Sequence, residues 1–141
     1  MILFTKIDIK TPAFKRRIIK EWLKRTASKF EKVIGDVSFI FCSDDKIIEI
    51  NKMYLSHDYY TDIITFDYSK NKIISGDIFI SIETVKSNAD LYCITFNQEL
   101  YRVMIHGILH LCGLQDKTKK EKTIMRHHEN LALENLKSLM I

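Results

Sequence analysis

Two histidines four residues apart stand in an otherwise apolar run, Met104-Ile105-His106-Gly107-Ile108-Leu109-His110-Leu111-Cys112-Gly113-Leu114-Gln115-Asp116. On a helix they lie about 40° apart around the axis and one turn along it, so both imidazoles leave the same face. Two neutral imidazoles so placed can together bind one metal ion, each at about 2.0 Å. Gly113 then ends the helix and lets the chain reverse, so that Asp116 can return toward the same ion as a third ligand. A His-His-carboxylate set leaves a fourth position open to water, the pattern of catalytic rather than structural zinc. The H-x-x-x-H spacing alone is common, and two core histidines bonded to backbone are the plain alternative. Three features weigh against that alternative. So apolar a helix gives imidazoles few partners, Gly107 permits close approach between them, and an acid lies just beyond the helix end. The general-base Glu that metalloproteases place after the first His is Gly107 here, which disfavours peptide hydrolysis.

The elements that must carry these residues are legible in outline. Ile2 to Ile9 reads as an opening strand. Thr11-Pro12 reads as a helix start, with Phe14, Ile18, Ile19, Trp22, Leu23, Ala27 and Phe30 on its buried stripe. Val37 to Cys42 is a second strand, and Ser43-Asp44-Asp45 opens a helix through Leu55. Ile63–Tyr68 and Asp77–Ile82 form an antiparallel hairpin, followed by a short helix from about Glu83 to Leu91. Thr95-Phe96-Asn97-Gln98 and Thr118-Lys119-Lys120-Glu121 are capping boxes. The first opens the histidine helix; the second opens a final helix with Ile124, Leu131 and Leu136 inward. The expected fold is α+β, or mixed α/β, with a small sheet of about four strands covered by helices. With 141 residues, 46% hydrophobic and 28% charged, the chain is expected to form one domain over residues 1–141 with a core of its own. No run is long and apolar enough for a signal-peptide core or a membrane span, so a cytoplasmic protein without a membrane partner is expected. The three cysteines are far apart and read as reduced. A net charge of +4 only hints at a polyanionic partner.

The histidine segment resembles the H-G-x-L-H-L-x-G-x-x-H signature of the YbeY-type bacterial endoribonucleases, the ribosomal RNA maturation factors. Asn51 to Phe66 (NKMYLSHDYYTDIITF) is similar to that family's N-x-x-Y-R-x-x-D-x-P-T-D-V-L-S-F block, and Gly76 to Ser81 (GDIFIS) to its G-D-I-x-I-S strand. The three blocks come in the family's order and spacing from Asn51 onward. The resemblance implies one Zn2+ per chain held by His106, His110 and, in place of the family's third histidine, Asp116. The exchange adds a negative charge, so water bound to the ion should be less acidic than with three imidazoles. It also implies single-strand-specific cleavage of RNA in maturation of the small-subunit ribosomal RNA 3′ end and in ribosome quality control, with the ribosome or its proteins as partners. The family's arginine in the Y-R step is Leu55 here. Arg102, one turn before His106 on the same face, is the best substitute for the missing cation. Its competing assignment is an ion pair with Glu99 or a buried structural pair.

Other candidates are weaker. His127 and His128 are adjacent, so at most one faces a site, and His128 falls on the expected buried stripe with Ile124 and Leu131. His57 lies in the family block. Cys112 leaves another side of the histidine helix. Lys15, Arg16, Arg17, Lys20, Lys24, Arg25, Lys29 and Lys32 make the first helix strongly basic, which reads first as a solvated face and second as a phosphate contact. The alternative function is a ribosome-assembly RNA-binding factor with a structural metal and no nuclease activity, kept open by Leu55.

Overall fold

A computed structural model of the chain describes residues 1–55 and 61–141, with Leu55 described by its backbone alone. The elements run β1 (Ile2–Lys6), α1 (Arg16–Ser28), β2 (Val33–Cys42), α2 (Asp44–Leu55), β3 (Ile63–Asp67), β4 (Ile73–Ser81), α3 (Ile82–Tyr92), α4 (Phe96–Leu111) and α5 (Lys119–Leu139). The strands form one sheet in the order β1-β2-β4-β3. β1 and β4 pair parallel to β2, and β3 pairs antiparallel to β4 as the hairpin reading expects. The fold is thus the expected mixed α/β arrangement.

Strand alternation sorts the sheet's side chains between two faces. Val37, Phe39 and Phe41 of β2 and Ile74, Ile78 and Ile80 of β4 face the main core, which α1, α4 and α5 close with Trp22, Leu23, Met104, Ile105, Ile108, Met125 and Leu136. On the other face Cys42 and Ile64 pack with Ile47 and Ile50 of α2. The histidine helix α4 is central: ten of its sixteen residues are buried, from Glu99 to Leu111. A helix so enclosed cannot rotate or slide, which fixes the side chains it presents at its one open edge.

Three local expectations fail for physical reasons. Thr11-Pro12 does not start α1, which begins at Arg16 with Lys15 as an N-cap that has no side-chain cap bond. The preceding segment is instead tied down by tertiary contacts. Asp8 accepts hydrogen bonds from Ser43 N and Oγ, and Phe14 packs edge-on against Phe4 and Phe41. On α5, Ile124 and Leu131 are 40% and 49% exposed, while Met125, Glu129, Ala132 and Leu136 are buried. A charged residue on the true stripe hid its phase. Finally, Gly107 does not serve contact between the histidines. A Cβ there would lie 2.9 Å from Ile78 Cδ1 and 3.2 Å from Ile63 Cδ1, so the glycine lets α4 settle onto the sheet.

Candidate metal centre

Both ends of α4 are fixed by its own sequence. Thr95 and Gln98 form the reciprocal capping box at its start, with Gln98 N donating to Thr95 Oγ1 and Thr95 N to Gln98 Oε1. At its end Gly113 takes φ +109°, open to glycine and costly to other residues. The reversal lets Leu114 N donate to Leu109 O. The same turn brings Leu114 O to 2.9 Å from His110 Nδ1. It also carries Asp116 back over the helix, where its Oδ2 lies 3.2 Å from Nε2 of His106 and 3.2 Å from Nε2 of His110.

The tautomers follow from the partners. A backbone carbonyl only accepts, so His110 Nδ1 carries the proton. Glu129 Oε2 lies 2.7 Å from His106 Nδ1 and, as a carboxylate, also accepts. With its Nδ1 proton so engaged, each imidazole in its neutral form turns an Nε2 lone pair toward the same point, where Asp116 adds a carboxylate oxygen. One ligand atom from each of the three residues lies within 4.8 Å of the others. Two imidazole nitrogens and one carboxylate oxygen, with both outer ring nitrogens held by acceptors, are a donor set that fits one divalent transition ion. The three expected ligands are brought together, all half-buried at the edge of α4.

The supporting charges are coupled. Burial alone would lower the His106 pKa, but the Glu129 carboxylate, joined by Asp116 and Asp62, outweighs it and holds the pKa above the ordinary value. Burial pushes Glu129 upward, yet its bonds to His106 and Arg102 keep its carboxyl below the usual range. Arg102 Nη1 donates to Glu129 Oε1 at 2.9 Å and its Nη2 to Asn130 Oδ1 at 3.0 Å. Arg102 is thus in a buried structural pair, one of the two competing assignments, and its partner is Glu129 rather than Glu99. Among the described residues two of its five N–H donors are engaged and three are left. Glu129 is 4% exposed and spans from the histidine to the arginine. The sequence reading did not single it out. Its signal was present, since an acid at i+4 from Met125 and three before Ala132 sits on an apolar stripe and must have a partner.

The centre opens into a cleft of about 790 Å³. Arg102, His106 and His110 line one wall, Lys122, Arg126 and Glu129 of α5 another, and β3 with Asn88 and Tyr92 of α3 the rest. Asp62 and Glu99 also reach it, and burial raises the pKa of both, with the Asp62 charge adding to the effect on Glu99. Glu99 is 4% exposed, and its Oε1 has no hydrogen-bond partner among the described residues. The remaining candidates lie elsewhere. His128 packs edge-on against Phe30, His127 is exposed beside it, and neither lines the cleft. Burial pushes the Cys112 thiol up to about 11, and it packs against the main core. The cysteines are free, as expected. His57 and the side chain of Leu55 lie outside the described residues.

A family model described as Endoribonuclease YbeY matches residues 4–137. Curated proteins named endoribonuclease YbeY are similar over most of their length. One from Parabacteroides distasonis is 54% identical over 89% of each chain, and one from Bacteroides fragilis is 54% identical over 94% of this chain and 95% of that protein. A Thermotoga maritima protein solved in solution superposes with a TM-score of 0.64 at 26% identity, covering 98% of this chain and 93% of that one. No helix among the described residues is long and apolar enough to cross a membrane. A match across nearly the whole chain, at about half identity, places this chain in the endoribonuclease YbeY family.

Proposed function

We propose that this chain is a single-strand-specific, metal-dependent endoribonuclease that acts on ribosomal RNA, in maturation of the small-subunit 3′ end and in ribosome quality control in the cytoplasm. The observation that carries the reading is the convergence of His106 Nε2, His110 Nε2 and Asp116 Oδ2 in a cleft that Arg102, Lys117, Lys122 and Arg126 also line. Those three residues would hold the ion, taken to be Zn2+. A bound zinc supplies Lewis acidity, lowering the pKa of a coordinated water and polarising a phosphoryl oxygen.

The other roles fall to the chain's own side chains. Arg102 is held in place by Glu129 and Asn130 and keeps donors for a phosphoryl oxygen, so it stabilises charge that develops there in place of the cation absent at Leu55. Lys117, Lys122 and Arg126 line the same cleft and attract the flanking phosphates. Asp62 lines the same cleft and is a carboxyl group able to exchange a proton there.

The test is cleavage of single-stranded RNA by purified zinc-loaded protein beside its His110→Ala and Arg102→Lys variants. The reading expects His110→Ala to be inactive. It expects Arg102→Lys to keep its metal and lose about 100- to 1,000-fold in rate, the usual cost of removing one electrostatic partner of a transition state. If zinc-loaded wild type cleaves no RNA, the ribosome-assembly factor with a structural metal is the correct account. Arg102 would then be only the clamp on Glu129.

A further inference from the structure

We infer that the outer face of α1 is a docking surface for the phosphate backbone of RNA outside the cleft, an inference that rests on the chain being an RNA-acting protein. Residues 10–32 hold nine basic side chains against Glu21 and Glu31. That excess of seven positive charges is larger than the net +4 of the whole chain, so the rest of the molecule is slightly acidic. The basic character of this protein is therefore concentrated chiefly in this segment, with a second, smaller cluster at Lys117, Lys119, Lys120, Lys122 and Arg126.

The arrangement works against the helix that carries it. A helix N-terminus bears partial positive charge and is stabilised by acids. α2, α3, α4 and α5 each have one or two in the first turn. α1 has none, its N-cap Lys15 makes no side-chain cap bond, and Arg16 and Arg17 follow at once. Arg16, Lys20 and Lys24 then repeat at intervals of four, the spacing at which like charges repel. Arg25 pairs with Glu21 at 2.9 Å. Among the described residues no acid lies within ion-pair distance of Arg16, Arg17 or Lys24. Arg16 and Lys20 instead sit over the Phe4 ring, at 5.7 and 5.8 Å, which steadies them without neutralising them. A ridge of uncompensated, partly ordered cations along thirteen helical residues complements a polyanion.

The occupant is RNA rather than an anionic membrane. A membrane-surface helix needs apolar side chains beside its cations. Here Ile19, Trp22, Leu23 and Ala27 are all consumed in the core, and no large apolar residue from 10 to 32 is exposed. α5 lies against both α1 and the cleft. Trp22 Nε1 donates to Ala132 O on the side of α5 that faces α1, while Lys122 and Arg126 of the same helix line the cleft. No residue of α1 lines the cleft itself. An RNA whose single strand enters the cleft can thus lay its continuing backbone across α5 and onto α1.

The experiment is binding of zinc-loaded protein to a fluorescent stem-loop RNA with a single-stranded tail, measured by anisotropy over a range of salt. Wild type is compared with Arg16→Gln/Arg17→Gln/Lys24→Gln. Each phosphate contact contributes about 0.7 to 0.9 to the slope of log affinity against log salt. The triple variant is expected to lower that slope by about 2 to 3, to melt higher than wild type at low salt, and to cleave a short oligonucleotide confined to the cleft as fast as wild type. An unchanged slope overturns the inference while leaving the nuclease reading intact. If the slope falls but zinc-loaded wild type cleaves nothing, the surface stands and the nuclease reading fails. Loss of binding to phosphatidylserine vesicles, with RNA binding unchanged, overturns it in favour of a membrane.

Discussion

Replacing Glu129 with glutamine isolates the residue that joins the two halves of the site. Glu129 Oε2 holds His106 Nδ1–H at 2.7 Å and its Oε1 holds Arg102 at 2.9 Å. Glutamine has nearly the same shape but only one acceptor, and its amide nitrogen must face either the imidazole or the guanidinium. If the amide oxygen stays on His106, the ring keeps its tautomer but loses the charge that makes Nε2 a better donor. Outer partners of metal ligands are typically worth 10- to 100-fold in affinity, which is about 1.4 to 2.7 kcal/mol. If the amide turns the other way, His106 meets a donor and the loss lies at the upper end. Stability should fall too. Arg102 and Glu129 are 24% and 6% exposed at their side chains, so a mostly buried guanidinium loses its counter-charge. Breaking such a pair typically costs about 3–5 kcal/mol when nothing replaces it; here the remaining amide and partial exposure put the cost below that range. The assay is titration of purified protein with zinc against a chromophoric chelator, with thermal melts of the metal-free forms beside it. Equal zinc affinity in Glu129→Gln and wild type would refute the reasoning that Glu129 orients and strengthens His106.

Asp116→Asn should weaken zinc binding, whereas Asp116→His should keep or partly restore it, both read by the same chelator titration; equal affinity for wild type and Asp116→Asn would remove Asp116 from the ligand set. Gly107→Ala should destabilise by about 1–3 kcal/mol through overpacking against Ile78 and Ile63, visible as a lower Tm. Glu99 provides a pH signature. Burial raises its folded pKa above the unfolded one, so its contribution is fully present below the unfolded carboxylate range, about 4.3, and is lost as pH rises through the folded value. Metal-free Glu99→Gln should therefore gain stability relative to wild type as pH rises from acid to neutral, and urea melts at a series of pH values that run parallel for the two proteins would contradict this.

What the sequence disclosed, and what it hid, divides along range of interaction. The capping boxes at Thr95 and Thr118 hold as expected, because a cap is decided within four residues. The hairpin of β3 and β4 and the reversal at Gly113 are equally local. The convergence of His106, His110 and Asp116 was legible because helix geometry and one turn suffice to bring them together. Thr11-Pro12 misled because a sound local start signal lost to distant contacts of Asp8 and Phe14. Gly107 misled because its neighbour is a sheet 29 residues away in sequence, where Ile78 lies. Glu129 was hidden because its meaning depends on α5 crossing α4, and an acid on a buried stripe reads as a break in the pattern until its partners are known.

The most direct test of the account is elemental analysis of purified wild type, His106→Ala and His110→Ala proteins made in zinc-containing medium, with folding checked by circular dichroism. The account predicts about one zinc per wild-type chain and none in either folded variant. A wild type free of metal, or folded variants that retain it, would contradict the assignment of the ion to His106, His110 and Asp116.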